Sequence, residues 1–221
     1  MTIKEALSSL TFFSNLSDSQ IEELIPLSFL KKYESDALLY YEKSSNRKLL
    51  FLVEGLARAY KMDKHNNEIF LYYIYPNCMV SEISSLSDSH LISYSNIAFV
   101  EDSQILSIDY LLFQEKFLEK GLLCLELANE VIEQSKRLQD LVNREFVFDS
   151  VAKVAMMLSS DIRMFNKLKR YDVSLMLNIQ PSTLSRVLNR LKRKGIVDID
   201  HGEVIIVNSK ELEAIYEGLG V

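Results

Sequence analysis

The C-terminal part of the fold is decided by one stretch, Lys169–Lys194, which reads KRYDVSLMLNIQPSTLSRVLNRLKRK. Its apolar residues recur at steps of three and four, and this spacing predicts two short helices. The chain turns between them at Asn178-Ile179, and a second helix begins at Pro181, because proline is favoured at the first helical position. The buried side of that helix is predicted to hold Leu184, Val187, Leu188 and Leu191. The stretch therefore predicts a helix-turn-helix.

A β-hairpin is predicted directly after the second helix. Gly195 stops the helix, because glycine readily adopts the left-handed backbone conformation. Ile196–Ile199 and Val204–Val207 are β-rich runs joined by a His-Gly turn. Helix, turn, helix and hairpin together make a winged helix-turn-helix.

The charge of this region favours a nucleic-acid partner. Residues 163–194 hold nine Lys or Arg against one acid, a local charge of +8, whereas the whole chain has a net charge of −6. A phosphate backbone responds to a local patch and not to the average charge of the protein. An ordinary surface helix pair would also show a charged outer face, but the hairpin and the cationic patch favour DNA binding.

Roles in DNA binding are predicted for seven side chains. Base contacts are expected from Ser182, Thr183 and Arg186, at the exposed start of the second helix. Arg186 is the candidate for a bidentate contact to guanine, a pairing worth about 1–3 kcal/mol of discrimination. The phosphate contacts, which fix the register on the duplex, are predicted for Lys169, Arg170, Gln180 and Arg190.

The run DVSLMLNIQPSTLSRVLNRLKRKGIVDI resembles the DNA-binding segment of the Crp/Fnr superfamily of bacterial transcription regulators. Weaker likeness extends over nearly the whole chain: LFLVEGLARAY is similar to two strands of the sensory domain of that superfamily, and PNCMVSEISSL to the segment that follows them. The resemblance implies an α+β fold with an N-terminal antiparallel β jelly-roll of the cyclic-nucleotide-binding type. A long dimerisation helix and a C-terminal winged helix-turn-helix would follow.

The N-terminal half shows the pattern of such a jelly-roll. Residues 3–10 and 18–25 are predicted as two amphipathic helices. Short runs rich in Tyr, Phe, Ile and Leu follow, separated by polar turns, and several strands at even spacing indicate a small antiparallel barrel or sandwich. The predicted strands are Leu38–Tyr41, Lys48–Val53, Leu56–Lys61, Ile69–Tyr75, Ile92–Val100 and Gln104–Ile108. A short helix is expected at Asp109–Lys116.

A long helix is predicted over about residues 122–145, and the resemblance implies that it pairs two copies of the chain. Apolar positions alternate in steps of four and three, which is typical of a coiled-coil seam, with Gln134 as its polar interruption. The predicted seam is Leu127, Val131, Gln134, Leu138 and Leu141. The other interpretation is a core stripe that packs on the barrel. Phe146–Asp149 is predicted to be the hinge to the DNA-binding domain.

The effector is unknown, and three departures from the superfamily pattern bear on it. Asn67, Asn77 and Ser81 stand where glycine is usual. Ile92 stands where cyclic-AMP-binding members carry the arginine that grips the phosphate. The long helix offers Leu138 and Gln139 where those members supply hydroxyls. Cyclic AMP is therefore not expected, since a buried phosphate without a paired cation is costly.

Cysteines and histidines limit the other cofactors. Two cysteines, Cys78 and Cys124, do not supply the four ligands of an iron–sulfur cluster. Cys78, His65 or His90 are candidate haem ligands, and other small molecules or no ligand remain open. No metal site is predicted. The three histidines lie far apart, and no catalytic motif is present, so no enzyme is expected.

Two functional classes remain at this point. The first is a homodimeric regulator, expected in the cytoplasm, with a palindromic operator in double-stranded DNA as its partner and RNA polymerase as a further candidate partner. The second is a sensory or scaffold protein whose degenerate winged helix binds protein. No apolar run reaches the ~20 residues that span a membrane. The predicted domains are a sensory domain at 1–120, the dimerisation helix and hinge at 121–148, and the DNA-binding domain at 149–221.

Overall fold

A computed structural model describes residues 1–217. The chain forms two compact units, Met1–Leu138 and Gln139–Val221, which we name the β-roll unit and the C-terminal unit. The division falls inside the long helix, within the segment predicted to be the dimerisation helix. No helix in the described part of the chain is long and apolar enough to cross a membrane.

The β-roll unit begins with two short helices and continues as ten antiparallel strands. Its helices are α1 (Ile3–Ser9) and α2 (Asp18–Leu24), each opened by a capping box. The strands are β1 (Ser28–Tyr33), β2 (Leu38–Tyr40), β3 (Ser45–Asn46), β4 (Lys48–Glu54), β5 (Ala57–Met62), β6 (Glu68–Ile74), β7 (Cys78–Met79), β8 (Leu91–Ile92), β9 (Asn96–Phe99) and β10 (Ser103–Asp109). The predicted α+β class with an N-terminal antiparallel roll is confirmed.

The strands are arranged in two four-stranded sheets and a short two-stranded ribbon. The sheet orders are β1-β10-β4-β7 and β2-β9-β5-β6, and β3 pairs with β8. Ile97, Phe99 and Ile105 belong to the apolar core between the sheets. A second core lies under the helices, where Phe12, Phe13 and Phe51 stack edge to face.

The strand predictions miss three strands, β1, β3 and β7, and merge two others into one. β1 was missed, because Phe29 of the run SFLKKY is exposed and its lysines break the apolar alternation. The single strand predicted at Ile92–Val100 is two strands, β8 and β9. The chain is interrupted between them, where the backbone N–H of Tyr94 and the hydroxyl of Ser95 bond to the Glu82 carboxylate.

The turns explain how asparagine replaces glycine. Asn77 adopts a φ of 69°, a left-handed conformation that asparagine tolerates better than most residues other than glycine. In the β5–β6 turn the left-handed residue is Asn66 and not Asn67, which instead bonds to Asp63. Gly55 is a position that only glycine fills, because its φ is 95° and an added Cβ would lie 2.1 Å from the Ser103 hydroxyl.

The last two helical segments of the first half lead into the C-terminal unit. Helix α3 (Tyr110–Phe113) is capped by Asp109 and continues as a wider turn to Leu118. The long helix α4 (Cys124–Val142) is followed by another wide turn, Asn143–Val147. The predicted end near Glu145 therefore falls in this wide turn.

The C-terminal unit packs three helices, a hairpin and a short helix around one core. Its elements are α5 (Ser150–Lys167), α6 (Arg170–Met176), α7 (Pro181–Arg193), β11 (Val197–Asp200), β12 (Glu203–Ile206) and α8 (Ser209–Ala214). Leu158, Phe165, Val173 and Leu184 are fully buried within it. The sequence predicts the last helix over Ser209–Gly218, and the end of that range lies outside the described residues. The predicted winged helix-turn-helix is confirmed.

Candidate nucleic-acid interface

The corner between α6 and α7 is built by local hydrogen bonds. Asn178 takes a φ of 50°, a left-handed conformation that asparagine tolerates better than most residues. The N–H of Ile179 donates to the carbonyl of Ser174 at 3.0 Å, and the buried Ser174 hydroxyl donates to the carbonyl of Tyr171 at 2.6 Å. These bonds fix the direction in which α7 leaves the corner.

Helix α7 has one buried side and one solvent side. Pro181 occupies its first turn after an extended Gln180, and Gly195, with a φ of 70°, follows its end. The four leucine and valine side chains predicted to face the core, Leu184, Val187, Leu188 and Leu191, are all buried. The opposite side is therefore free for a ligand.

The predicted base-contacting residues lie together on the solvent side of α7. Ser182 and Arg186 are exposed and Thr183 is half-buried, all within the first two turns. Arg186 Nη2 donates to Thr183 Oγ1 at 3.1 Å, which orients the guanidinium along the helix surface. The same face carries, further along, Asn189, Arg190 and Arg193, all exposed. This is the arrangement of a helix that reads a major groove.

The predicted phosphate contacts divide into two kinds. Lys169, Gln180 and Arg190 are exposed. Arg170 is half-buried and partly engaged, because its Nη1 donates to the carbonyl of Phe165 at 3.1 Å and its Nη2 to the carbonyl of Gly202 at 2.6 Å. Its guanidinium also stacks 4.5 Å from the Phe165 ring, and burial lowers its pKa. These bonds give Arg170 a structural role, and the phosphate contact predicted for it stays a prediction.

Side chains of α5 and α7 also hold the wing against the helices. The Asn166 amide exchanges two 2.9 Å hydrogen bonds with the backbone of Val204. Lys192 pairs with Asp198 at 2.7 Å, so this lysine of the cationic patch is already engaged. Asn166 was missed in the sequence, because an asparagine inside an apolar helix carries no signal of its partner.

The model of the Crp-like helix-turn-helix domain matches residues 152–215. The segment is similar to that family, and helices α6 and α7 with the wing, which together we name the reading head, lie inside the matched residues. No curated protein sequence matches the chain at a significant level.

Solved structures share the fold of nearly the whole chain. FixK2 from Bradyrhizobium japonicum is 15% identical, with a TM-score of 0.70 over 85% of this chain and 96% of its own. A CooA mutant from Carboxydothermus hydrogenoformans is 18% identical, with a TM-score of 0.71 over 98% and 96%. A putative Crp/Fnr-family regulator from Eubacterium rectale is 17% identical, with a TM-score of 0.61 over 95% and 99%. The resemblance to the Crp/Fnr superfamily is confirmed at the level of the fold and the Crp-like domain.

The long helix preceding the Crp-like domain uses two faces, and the predicted seam mixes them. Leu127 belongs to the core of its own β-roll unit, and Gln134 Nε2 donates to the carbonyl of Ser81 at 2.9 Å. Leu141 is half-buried. Val131 and Leu138, by contrast, expose 43% and 52% of their surface. Leu127 and Gln134 are thus committed within one chain, which corrects their assignment to a contact between two chains.

The outward apolar stripe of α4 shares only Val131 and Leu138 with the predicted seam. It consists of Leu125, Ala128, Val131, Ile132 and Leu138, with Ser135 as its polar member, and all six are exposed. The inward face bears Leu127, Gln134 and Arg137, whose guanidinium lies 5.9 Å from the Tyr72 ring. The two faces share a period of three and four, and this is why the sequence did not separate them.

Glu82 belongs to the segment PNCMVSEISSL, which resembles part of the superfamily's sensory domain, and its carboxylate is satisfied by its own chain. It accepts bonds from the Tyr94 N–H and from the hydroxyls of Ser95, Ser93 and Tyr72. Burial raises the pKa of this carboxyl, although these bonds oppose the shift. The cavity beside it has a volume of about 10 Å³, room for a single water.

The candidate haem ligands do not converge. His65 is exposed in the β5–β6 turn, and His90 accepts a hydrogen bond from Arg47 Nε at 2.8 Å. Cys78 is half-buried on β7, where burial raises the pKa of its thiol. Within residues 1–217, no group of three or more His, Cys, Asp or Glu side chains is arranged to hold a metal ion.

Proposed function

We propose that the chain is a homodimeric, sequence-specific regulator of transcription that binds a palindromic operator through helix α7 of each subunit. The observation that carries the proposal is the solvent face of α7. Among residues 1–217, Arg186, Arg190, Arg193 and Lys194 form no ion pair with a carboxylate, although the chain as a whole is acidic. Exposed cations beside short hydroxyls are what phosphate and base edges bind.

The outward stripe of α4 supports the dimer. A soluble chain rarely exposes a continuous apolar stripe along a helix unless it packs against a partner. The steps of three and four fit a second copy of the same helix, with Ser135 as a polar position that sets register. Two reading heads related by a two-fold axis would then face two half-sites about one helical turn apart.

The β-roll unit is proposed to bias DNA binding through an effector that is neither a cyclic nucleotide nor an iron–sulfur cluster. The filled surroundings of Glu82 support the first exclusion, and the presence of only two cysteines supports the second. Haem stays an open alternative. Such an effector acts by preferring one of two arrangements of the regulator, so that its binding shifts their populations.

Selection from a pool of random duplexes tests the proposal. The purified protein is incubated with the pool at low salt, and bound duplexes are amplified and sequenced over several rounds. We expect a two-fold symmetric motif whose half-sites are centred about 10 base pairs apart or a multiple of that distance. Failure to enrich any motif would contradict sequence-specific reading and favour the scaffold class. An asymmetric single site would contradict the dimer.

A further inference from the structure

A carboxylate at the end of the long helix meets the corner of the helix-turn-helix. Glu145 lies in the wide turn Asn143–Val147. Its Oε1 accepts a bond from Arg144 Nε at 3.0 Å, and its Oε2 accepts from Asn178 Nδ2 at 3.4 Å. Lys153 Nζ on α5 lies 3.9 Å from the same Oε2. We name these four residues the latch.

The two cations of the latch are withdrawn from solvent. Arg144 and Lys153 each expose only 8% of their surface. Lys153 Nζ donates a second bond, at 3.2 Å, to the carbonyl of Leu177, the residue that ends α6. A buried ammonium requires both a hydrogen-bond acceptor and a compensating charge. For Lys153 the acceptor is the Leu177 carbonyl at the end of α6, and the charge is the Glu145 carboxylate after α4.

The latch spans the segment predicted to be the hinge. Glu145 precedes that segment, whereas Lys153 and Asn178 follow it. Phe146 and Val147, between them, expose 85% and 68% of their surface, so their side chains contribute little packing there. The last turns of α4, from Gln139 onward, nevertheless belong to the same compact unit as the helix-turn-helix.

We propose that Glu145 is a positioning residue for DNA recognition, which holds the α6–α7 corner at a fixed orientation to the last turns of α4. The inference rests on the proposed dimeric, DNA-binding function. With the latch closed, helix α7 of each subunit keeps one direction. The two α7 helices of a dimer then fit only one spacing of half-sites. With the latch open, each reading head still folds and binds its own half-site but turns more freely.

The experiment compares half-site spacings. Affinities are measured by fluorescence anisotropy for three duplexes: one half-site, two half-sites at the selected spacing, and two half-sites about 5 base pairs further apart, which turns one of them to the opposite face of the duplex. The protein variants are Glu145→Gln, which removes the charge at nearly constant size, and Asn178→Gly, which removes one latch contact and keeps a residue suited to the φ of 50°. Glu133→Gln is the matched control, because Glu133 is an exposed glutamate of α4 that pairs only with Lys136 among the ion pairs of residues 1–217.

The wild type and the control are expected to lose about 100-fold or more in affinity at the wrong spacing, because two-site engagement fails. Glu145→Gln is expected to lose about 10-fold or less in affinity at the wrong spacing, because reading heads that turn more freely can reach both half-sites. Its affinity for one half-site should stay unchanged, and Asn178→Gly should fall between the two.

Two results would overturn the inference. One is that Glu145→Gln and Asn178→Gly both lose as much affinity at the wrong spacing as the wild type does. The other is loss of single-half-site affinity together with thermal stability in both variants, which would make the latch a folding element. A wild-type protein that binds none of the duplexes would overturn the proposed function instead, so the two failures are distinguishable.

Discussion

Arg186 is the residue proposed to read a base, and the side chain of Thr183 orients its guanidinium. Its guanidinium bonds to the Thr183 hydroxyl one turn earlier, so the side chain is partly ordered before DNA arrives. Ordering a long side chain in advance lowers the entropy that binding must overcome. The arginine is also exposed and outside any ion pair among the described residues, which leaves the other guanidinium nitrogens for a guanine edge.

Arg186→Ala is expected to weaken binding to the selected operator by about 1–3 kcal/mol, because it removes a bidentate base contact. Binding to a duplex with the contacted guanine replaced should change little. Anisotropy titrations on the two duplexes measure the difference, and Lys210→Ala, which removes an exposed cation of α8, is the control. An equal loss on both duplexes would show that Arg186 touches only the backbone.

Arg170 and Lys169 are neighbours with different expected effects. Arg170→Ala removes two bonds from a charged donor to backbone carbonyls, and we expect it to lower the free energy of unfolding by about 1.5–3 kcal/mol. Lys169→Ala should leave stability unchanged and reduce the salt slope of DNA binding by about one unit per subunit. Urea unfolding and salt titrations separate the two effects. The reverse pattern would restore Arg170 as a phosphate contact.

Glu82 is expected to make the stability of the β-roll unit depend on pH, with a contribution that grows as the pH falls. Burial raises the pKa of its carboxyl above the ordinary 4.5, so the folded state binds this proton more tightly than the unfolded state. The wild type should therefore gain stability relative to Glu82→Gln as the pH falls from 7 through the raised pKa towards 4.5. Urea unfolding of both proteins across that range measures the gain. A difference independent of pH would contradict the burial of an ionisable group.

At the scale of elements, the strongest prediction is that the outward stripe of helix α4 forms the dimer contact. Leu138→Asp places a charge on the outward stripe and should convert a dimer to a monomer in analytical ultracentrifugation, with little loss of thermal stability per chain. Leu127→Ala should leave assembly intact and destabilise the chain by about 2–5 kcal/mol, because it opens a cavity in the core. A monomeric wild type, or a Leu138→Asp dimer, would contradict the proposed use of this face.

The elements that sequence predicted well are those whose signal is local. Helix α7 was placed by Pro181, Gly195 and an apolar period within 15 residues, and the wing by its His-Gly turn. The features that the sequence did not predict depend on partners that are distant in the chain. Strand β1 exists because it pairs with β10. Arg170 has a structural role because it donates to the carbonyl of Gly202, and Lys153 can be buried because it donates to the carbonyl of Leu177. The face of α4 that packs inward was equally unreadable, because both faces repeat at the same steps.

At the scale of the whole molecule, the charge distribution organises the function. The chain is acidic overall, yet residues 163–194 carry a charge of +8, and five exposed cations of this patch lie on α7 or directly after it. Acids elsewhere repel DNA from the rest of the surface, so approach is favoured only through the reading head. The acidic wing residues Asp198, Asp200 and Glu203 mark one border of that surface.

The most direct test is the salt dependence of wild-type binding to the selected operator. With Lys169 and Arg190 on phosphates in each subunit, four contacts predict a loss of about 100-fold in affinity between about 50 and 200 mM salt. A scrambled duplex should bind more weakly at each salt concentration and lose affinity as salt rises. No binding to either duplex at about 50 mM salt, or an affinity that does not change with salt, would contradict the account.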